Sequence, residues 1–481
     1  MIADPPPPRG MRPRNLVWPA VGFVLLMATP PAVAFGLLAC ALLVRGALSA
    51  VRRVRARNSE TAARLAVGPT ITIGRDLDGR AVEIPERTLG AHALILGATG
   101  SGKSTTWLTL LTEQIRRGRP VIAIDLKGSP AFAADLRAAA RPFMQWSPDG
   151  DSHWNPLAAG NATELKDKLL STERFTEPHY RRAAERYLQM AIQIGQETAA
   201  PDQPLTLARV VELMSPERLA AASRLAPRAR RDHVREYVSA LTPDQQSAIR
   251  GLASRLAVLT ESHTGPLLQP GAPELTLDLR RALRGGEVAL FSLNSSTYGG
   301  LAAMLGTLAV QDLVAASGAR LAGGSSPTPV ATVAIDEFSA LHSDNVLSLL
   351  ARGREAGIGV LLATQELADL DHAGRGLRDQ ILGNTALKIA HRQDVPESAE
   401  QVARLAGTKR VWEQSYHART GSAGRGGSTS TSARLVDRYR VEPERVSTMA
   451  TGEALVVIKS PSASAHVTRI RRPPPASVRS R

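Results

Sequence analysis

The strongest chemical signal in the sequence is the run GATGSGKS at 97–104, which has the glycine spacing and the Lys-Ser ending of a phosphate-binding loop. Glycine lets the backbone curve until successive N–H groups point at phosphate oxygens, and a helix expected from Thr105 adds its positive dipole end. Lys103 can reach the β- and γ-phosphates as a compact charge, where the planar arginine fork does not fit. The residues predicted to bind the nucleotide are Gly97, Ala98, Thr99, Gly100, Ser101, Gly102, Lys103, Ser104 and Thr105.

An acidic pair, Asp336-Glu337, ends the apolar run that starts at 330. Alone, such a pair is usually a solvated turn. Together with the phosphate loop it predicts that Asp336, with the hydroxyl of Ser104, binds Mg²⁺ and that Glu337 orients and deprotonates the attacking water. Lys103 and Asp336 are 233 residues apart in the chain. A large segment must therefore be inserted between the two halves of the site.

Three further polar residues lie where they could serve the same site. Gln365 follows the apolar run 358–363 and could sense the γ-phosphate or hold the water. Arg354 could reach a neighbouring subunit as an arginine finger, or it could be a solvated helix end. Lys127 could contact phosphate or lie in a surface turn. The predicted catalytic residues are Glu337, Gln365 and Arg354.

Several other signals narrow the chemistry. A guanine-binding Asn-Lys-x-Asp motif is absent from the sequence, so the predicted nucleotide is ATP, bound with Mg²⁺. Cysteine and histidine show no metal-ligand spacing, and His92, inside an apolar run, is interpreted as a packed core residue. Four arginines at 228–235 could touch DNA phosphate, although a solvated helix face is the commoner role of such a cluster.

The net charge of +15 is concentrated at the two ends of the chain. The segments 1–58 and 469–481 together carry +12, and the body at 59–468 carries only +3. This distribution points to membrane or polyanion contact at the termini and gives little evidence of a nucleic-acid-binding core. Aromatic residues make up 4%, too few for a base-stacking surface like those of single-strand RNA readers. The one cysteine, Cys40, excludes an internal disulfide and agrees with a cytoplasmic location.

Residues 16–44 contain no charge, which is more than the ~20 residues that a membrane-spanning helix needs. A Pro30-Pro31 pair interrupts this run. One kinked helix and a two-helix hairpin both fit it, and arginines on both flanks favour the hairpin. A cleavable signal peptide ending near Ala34 is a third alternative. Because the apolar run continues past Ala34 to an arginine cluster, an uncleaved N-terminal transmembrane anchor is predicted.

The elements that must position the site are read from hydrophobic patterning. Six apolar runs predict a parallel α/β sheet with helices on both faces, because most are followed by helix-like stretches. They are 92–96, 121–125, 287–293, 330–335, 358–363 and 386–390, preceded by β-like runs at 70–73 and 81–84. The expected domains are an anchor with a basic connector at 1–58, two core parts at 59–156 and 286–468, an inserted all-helical domain at 157–285, and a basic Pro/Arg tail at 469–481. A Gly/Ser/Thr loop is expected at 419–434.

Taken together, several segments resemble the TraG/TraD family of type IV coupling proteins. They are HALILGATGSGKS, VIAIDLKGS, HWNPL, AIDEFSAL, GREAGIGVLLATQ and ILGNTALKIAHRQDVPESAEQVARLAGT. This resemblance implies a RecA-like P-loop NTPase core of the FtsK/HerA branch, in membrane-anchored hexamers that dock relaxase-bound DNA onto a type IV secretion channel. By the same resemblance, Lys103 and Ser104 match the nucleotide loop, Asp336 and Glu337 match the metal and water carboxylates, and Gln365 matches the γ-phosphate sensor.

The expected function is that of an inner-membrane ATPase, with its ATPase part in the cytoplasm, which translocates DNA during conjugation. The expected partners are single-stranded DNA bound without sequence preference, relaxase and other secretion substrates, secretion-channel proteins, the membrane and further copies in a ring. One alternative is an FtsK-like double-strand DNA pump, although its usual winged-helix DNA reader is not found after 460. Another is a secretion-substrate receptor that binds nucleotide without hydrolysing it.

Overall fold

A computed structural model describes residues 70–473, apart from 141, 174, 176, 201–202, 286, 323–329, 342 and 419–428. The predicted anchor and basic connector at 1–58 lie outside the described residues, as does the tail from 474 onwards.

The strands of the described residues are short and mostly apolar. They are β1 (Thr70–Asp76), β2 (Ala81–Pro85), β3 (Ala93–Leu96), β4 (Val121–Asp125), β5 (Phe143–Trp146), β6 (Val288–Ser292), β7 (Ala331–Asp336), β8 (Ile358–Thr364), β9 (Leu387–Ala390), β10 (Thr408–Ala418), β11 (Thr429–Tyr439), β12 (Glu453–Ile458) and β13 (Ser464–Ile470). Within this part of the chain, β10 and β11 pair with each other and the others form one eleven-stranded sheet. Since β11 starts at Thr429, residues 429–434 of the expected loop at 419–434 are strand.

Seven neighbouring strands run parallel, in the spatial order β9-β3-β8-β7-β4-β6-β5. Six of them correspond to the six predicted apolar runs, and these six are buried along their whole length. A parallel strand covered on both faces has no polar face, so its sequence is a continuous apolar run. β5 is not predicted, because the four residues FMQW give no such run.

The sheet as a whole is mixed, which corrects the prediction of a parallel sheet. β2, β1, β13, β12 and β9 are joined in that order by antiparallel pairing. The connection from Ile458 to Ser464 is too short for a crossover, so β12 and β13 must form an antiparallel hairpin. β13 continues to Ile470, two residues into the segment expected as tail.

Helices cover both faces of the sheet. They are α1 (Glu86–Gly90), α2 (Lys103–Arg116), α3 (Pro130–Ala139), α4 (Ala162–Leu170), α5 (Pro178–Glu197), α6 (Leu207–Leu213), α7 (Pro216–Ala222), α8 (Arg228–Ser239), α9 (Pro243–Glu261), α10 (Leu279–Leu283), α11 (Ser295–Ala322), α12 (Ser343–Gly353), α13 (Leu367–Ala373), α14 (Leu377–Asn384), α15 (Pro396–Ala406) and α16 (Pro443–Ser447). Successive strand side chains point to opposite faces, so Leu94 joins one apolar cluster while Ile95 joins the other with Trp107 of α2.

The segment between β5 and β6 carries α4 to α10. Its buried residues, such as Tyr187 and Leu256, belong to the same apolar cluster as Ile122 and Phe291 of the sheet. The helices therefore share a core with one face of the sheet. That residues 157–285 form a separate domain stays a prediction.

Of the helices in the described residues, α11 has the length and hydropathy that crossing a membrane would require. More than half of its most apolar stretch is buried inside the protein, and Leu305, Leu308 and Leu313 lie in the core. Helix α11 is therefore apolar because it packs in the core of the protein. The predicted anchor at 16–44 lies outside the described residues.

Candidate nucleotide-binding site

Strand order brings the predicted site residues to one edge of the sheet. β8 lies between β3 and β7, with Leu96 opposite Thr364 and Asp336 opposite Ala363. Because these strands are parallel, their carboxyl ends meet at the same edge. The loop after β3, the acidic end of β7 and Gln365 after β8 are consequently neighbours.

Two lysines and two carboxylates form a compact ion-pair cluster at this edge. Lys103 Nζ lies 3.2 Å from Asp336 Oδ1 and 3.2 Å from Glu337 Oε1, and its side chain is almost fully buried. Lys127 Nζ lies 2.6 Å from the same Glu337 oxygen and 3.7 Å from Asp336 Oδ2. The structure thus brings together residues that are 233 positions apart and adds Lys127 to them.

Gln365 joins the phosphate loop to the carboxylates. Its Nε2 donates to Glu337 Oε1 at 3.1 Å, and its Oε1 accepts from the Thr99 hydroxyl at 3.3 Å. Glu337 Oε1 therefore faces three donors, from Lys103, Lys127 and Gln365. A side chain in this position can respond to what occupies the loop and pass that response to Glu337.

Burial and ion pairing act in opposite directions on Glu337. Burial raises the pKa of its carboxyl, but the charges of Lys103 and Lys127 with the Gln365 hydrogen bond outweigh it and leave the pKa lowered. Burial lowers the pKa of Lys127, and the charges of Asp336 and Glu337 more than reverse this. Glu337 is therefore a carboxylate at neutral pH and Lys127 is an ammonium.

Asp125 shapes the turn that carries Lys127. Its carboxylate accepts the N–H groups of Lys127 at 3.0 Å and Ser129 at 2.8 Å. Burial, with a smaller contribution from the Asp336 charge, raises the pKa of Asp125 to about 6. The conformation of this turn fixes where the Lys127 ammonium can reach.

The backbone of the phosphate loop needs its glycines. Gly100 and Gly102 have φ of +77° and +110°, a region that side chains rarely adopt. A Cβ on Gly97 would lie 2.6 Å from Ser101 Oγ and 2.9 Å from His391 Cβ. The loop leads directly into α2, whose first N–H groups have no partner inside the helix. Ser101 Oγ is buried and has no hydrogen-bond partner in the part of the chain that the structure describes.

The described residues fit a magnesium–nucleotide complex better than a metal caged by protein. Among them, no group of three or more His, Cys, Asp or Glu side chains could hold a metal ion. Mg²⁺ commonly takes one or two protein oxygens and completes its shell with water and phosphate. Asp336 and the exposed hydroxyl of Ser104 are the oxygens that this chain offers, and their roles stay predictions.

His391 is a site residue that the sequence reasoning missed. It is fully buried beneath the loop, where Nε2 accepts from Thr106 Oγ1 at 2.8 Å and Nδ1 donates to the Glu453 carbonyl at 2.8 Å. Next to it, the Gly452 N–H donates to the Ser101 carbonyl at 2.9 Å and the Thr451 hydroxyl to the Gly100 carbonyl at 3.2 Å. These partners are distant in the chain, so no local pattern reveals them.

Arg354 lies apart from the cluster within its own chain. It is exposed, just after α12 and before β8, at the amino-terminal end of the strand whose other end carries Gln365. The seven residues of β8 separate the two edges by about 23 Å. Arg354 can therefore serve a nucleotide only across a subunit contact, and its finger role stays a prediction. His92 is buried and bonded to Leu350 and Val360, so its interpretation as a core histidine is confirmed.

The site has the parts that define a phosphate-loop protein of the α/β class. They are the phosphate loop after β3, the acidic pair at the end of β7 and Gln365 after β8. Residues 331–451 match a family model described as the TraM recognition site of TraD and TraG, and residues 71–138 match one described as the central domain of the helicase HerA. The chain belongs to the TraG/TraD family of coupling proteins and carries a HerA-like region around its phosphate loop. No curated protein matches the chain.

Solved structures of similar fold include the bacterial conjugative coupling protein TrwBdeltaN70 in its unbound form, at 16% identity and a TM-score of 0.60 over 87% of this chain and 92% of that one. Another is TrwB in complex with ADP and Mg²⁺, at 14% identity and a TM-score of 0.59 over 86% and 93%. VirB4 of Thermoanaerobacter pseudethanolicus has 14% identity and a TM-score of 0.54 over 85% and 98%. These likenesses show the fold.

Proposed function

We propose that this protein is a membrane-anchored ATPase that couples ATP hydrolysis to the translocation of DNA, or of relaxase-bound DNA, through a type IV secretion system. The observation that carries the proposal is the position of Lys103, 3.2 Å from both Asp336 and Glu337. A phosphate-loop lysine beside two carboxylates at a strand end brings together the side chains that phosphoryl transfer uses: one for the phosphates, one for Mg²⁺ and one for the attacking water. TrwB, a protein of similar fold, has been solved in complex with ADP and Mg²⁺, which agrees with a magnesium–nucleotide substrate.

The residues of the cluster suggest how hydrolysis proceeds. Lys103 exchanges its carboxylate partners for phosphate oxygens of ATP, as the loop's N–H groups enclose the same phosphates. Loss of this ion pair removes one of the three donors that face Glu337 Oε1, which leaves room for a hydrogen bond from a water and makes Glu337 a stronger base. Gln365, which bridges Thr99 and Glu337, orients that water. Mg²⁺, held by Ser104 and Asp336, would neutralise charge on the phosphates.

The ring, the anchor and the cargo are parts of the same proposal. Arg354 lies at the opposite edge from its own site, so an arginine finger requires neighbouring copies, and a hexameric ring supplies them. The uncharged run at 16–44 would hold the ring to the inner membrane, with the ATPase part in the cytoplasm. A TraM-like protein is an expected partner, because the match at 331–451 is to a TraM recognition site. Relaxase and secretion-channel proteins complete the expected set.

Turnover in the purified full chain tests the proposal, with Glu337→Gln as the key variant. We expect DNA to stimulate ATP hydrolysis, and we expect the variant to lose about 10²- to 10⁴-fold in turnover because it lacks a general base. ATP affinity should be retained, since the amide keeps the shape of the side chain.

Each other outcome has a distinct meaning. If the wild type bound ATP without hydrolysing it, the protein would be a secretion-substrate receptor and not a motor. Turnover that DNA does not change would contradict translocation, and stimulation by duplex alone would favour a double-strand pump.

A further inference from the structure

The β10–β11 hairpin stands apart from the main sheet. Its strands pair along their full length, from Thr408 opposite Tyr439 to Ala418 opposite Thr429, and span about 36 Å. At the base of the hairpin, the Tyr439 hydroxyl donates to Glu400 of α15 at 3.2 Å. A two-stranded hairpin is at best marginally stable by itself in water, so a ribbon of this length is suited to having a partner along its surface.

Charge identifies the chemistry of that partner. The segment 408–440 contains seven Lys and Arg residues against Glu413 and Asp437, a net charge of +5. The body at 59–468 carries +3 in total, so outside this segment the body is net negative. Between 414 and 436 there is no acidic residue at all. The segment 408–440 is therefore the basic part of an otherwise slightly acidic body.

Pairing within the ribbon leaves cations available. Asp437 faces Arg410 at 3.6 Å, and Glu413 pairs with Arg438. With both acids engaged, the exposed Lys409 and Arg434 have no carboxylate partner among the residues that the structure describes. Both lie on the same face of the ribbon by register, opposite Arg438 and Glu413 respectively.

The other face carries a large exposed apolar pair. Trp412 is 69% exposed and Leu435, directly across from it, is 44% exposed. An indole ring in this position can stack on a nucleic-acid base, a contact that tolerates any sequence. Arg410 lies two residues away on the same face, where it faces Asp437, so one cation lies beside the ring.

We propose that the β10–β11 ribbon is a nucleic-acid-binding element of this protein. Lys409 and Arg434 contact the phosphodiester backbone on one face of the ribbon, and Trp412, on the other face, stacks on an unpaired base. A two-stranded ribbon fits the major groove of a duplex, whose walls are phosphates on both sides, and the same cations can follow a single strand. The inference rests on the proposed function, because it names the surface that the translocated DNA touches.

Salt dependence of DNA binding tests the backbone contacts. Fluorescence anisotropy of the full chain is measured with one labelled sequence, as single strand and as duplex, from about 50 to 200 mM salt. For the double variant Lys409→Ala/Arg434→Ala, the slope of log affinity against log salt should fall by about 1.8 with duplex or about 1.4 with single strand. Arg87→Ala/Arg284→Ala, two exposed arginines outside the ribbon, is the matched control and should keep the wild-type slope.

Substitution of the tryptophan tests the stacking contact. Trp412→Ala should weaken single-strand binding by roughly 5- to 150-fold, the range measured for loss of one stacked base. Trp412→Phe keeps an aromatic ring and should retain most of the affinity. The melting temperature of each variant checks that the fold is intact.

The two proposals fail in different ways. If the wild type binds DNA but the ribbon variants keep its affinity and salt slope, the ribbon inference is wrong and the proposed function stands. If the variants instead lose oligomer size in sedimentation while DNA affinity is kept, the ribbon contacts another copy of the chain, and the inference is again wrong. If the wild type binds neither form of DNA, the proposed function itself fails.

Discussion

The phosphate-loop edge and the β10–β11 ribbon hold their charges in opposite ways. At the edge of the sheet, Lys103 and Asp336 are almost fully buried and compensate one another. On the ribbon, Lys409 and Arg434 are exposed and lack such compensation in the described residues. A buried charge must be paired, because leaving it alone in a low dielectric costs several kcal/mol. This contrast indicates that the phosphate-loop edge binds a small anion, whereas the ribbon binds a long polyanion at the protein surface.

The largest expected effect compares the same residue type in the two regions. Trp107 of α2 is 2% exposed and stacks on Phe132 with ring centroids 4.5 Å apart. Trp107→Ala should lower the free energy of unfolding by about 3–5 kcal/mol through lost packing. Trp412→Ala, at an exposed position, should change it by less than about 0.5 kcal/mol. Denaturant titrations of both variants measure this difference, and a costly Trp412→Ala would mean that the ribbon is packed in solution.

An intermediate effect concerns His391, which supports the phosphate loop. Burial lowers its pKa to about 4, opposed by its hydrogen bond to the Glu453 carbonyl. The unfolded chain therefore binds this proton near pH 6.5 and the folded chain only near pH 4, so stability is present above pH 6.5 and is lost as pH falls towards 4. Between pH 7.5 and 5, the loss due to His391 should be about 2 kcal/mol.

His391→Gln tests this pH dependence, with the exposed His372→Gln as its control. The difference between the unfolding free energies at the two pH values should be about 2 kcal/mol smaller in the His391 variant than in the wild type, and unchanged in the control. Equal pH dependence in the wild type and the His391 variant would show that the buried imidazole is not responsible. His92, also buried with its pKa lowered to about 4, contributes in the same direction in all three proteins.

The smallest expected effect concerns the arginine cluster of α8. Arg228 and Arg231 each lie 3.6 Å from Asp232, and Arg230 lies 3.2 Å from Glu197. Because each already has an acidic neighbour, Arg228→Ala/Arg231→Ala should change DNA affinity by less than about twofold and stability by less than about 0.5 kcal/mol. If this double variant lost as much DNA affinity as the ribbon variants, the DNA-binding surface would include the helices.

Particular residues show why some strands could be predicted from the sequence and others could not. The runs around 95, 123 and 360 are apolar because both faces of a parallel strand are buried, and this local signal predicts six strands. β13 is only partly buried and gives no such run, so it is missed, whereas β1 and β2 on the same antiparallel side correspond to the expected β-like runs at 70–73 and 81–84. The charge of the ribbon is hidden when it is averaged over 59–468, since pairing of β10 with β11 is needed to separate its cations from the rest.

By itself, the sequence determined the phosphate loop, the acidic strand end and the family resemblance, because each depends on residues that are close together in the chain. Tertiary structure alone decided that Lys127 joins Lys103 on Glu337, that His391 and Gly452 support the loop, and that Arg354 lies at the far edge. Those contacts join segments up to hundreds of residues apart. Only the strand order and the direction of each strand fix them, and neither is encoded in any local pattern.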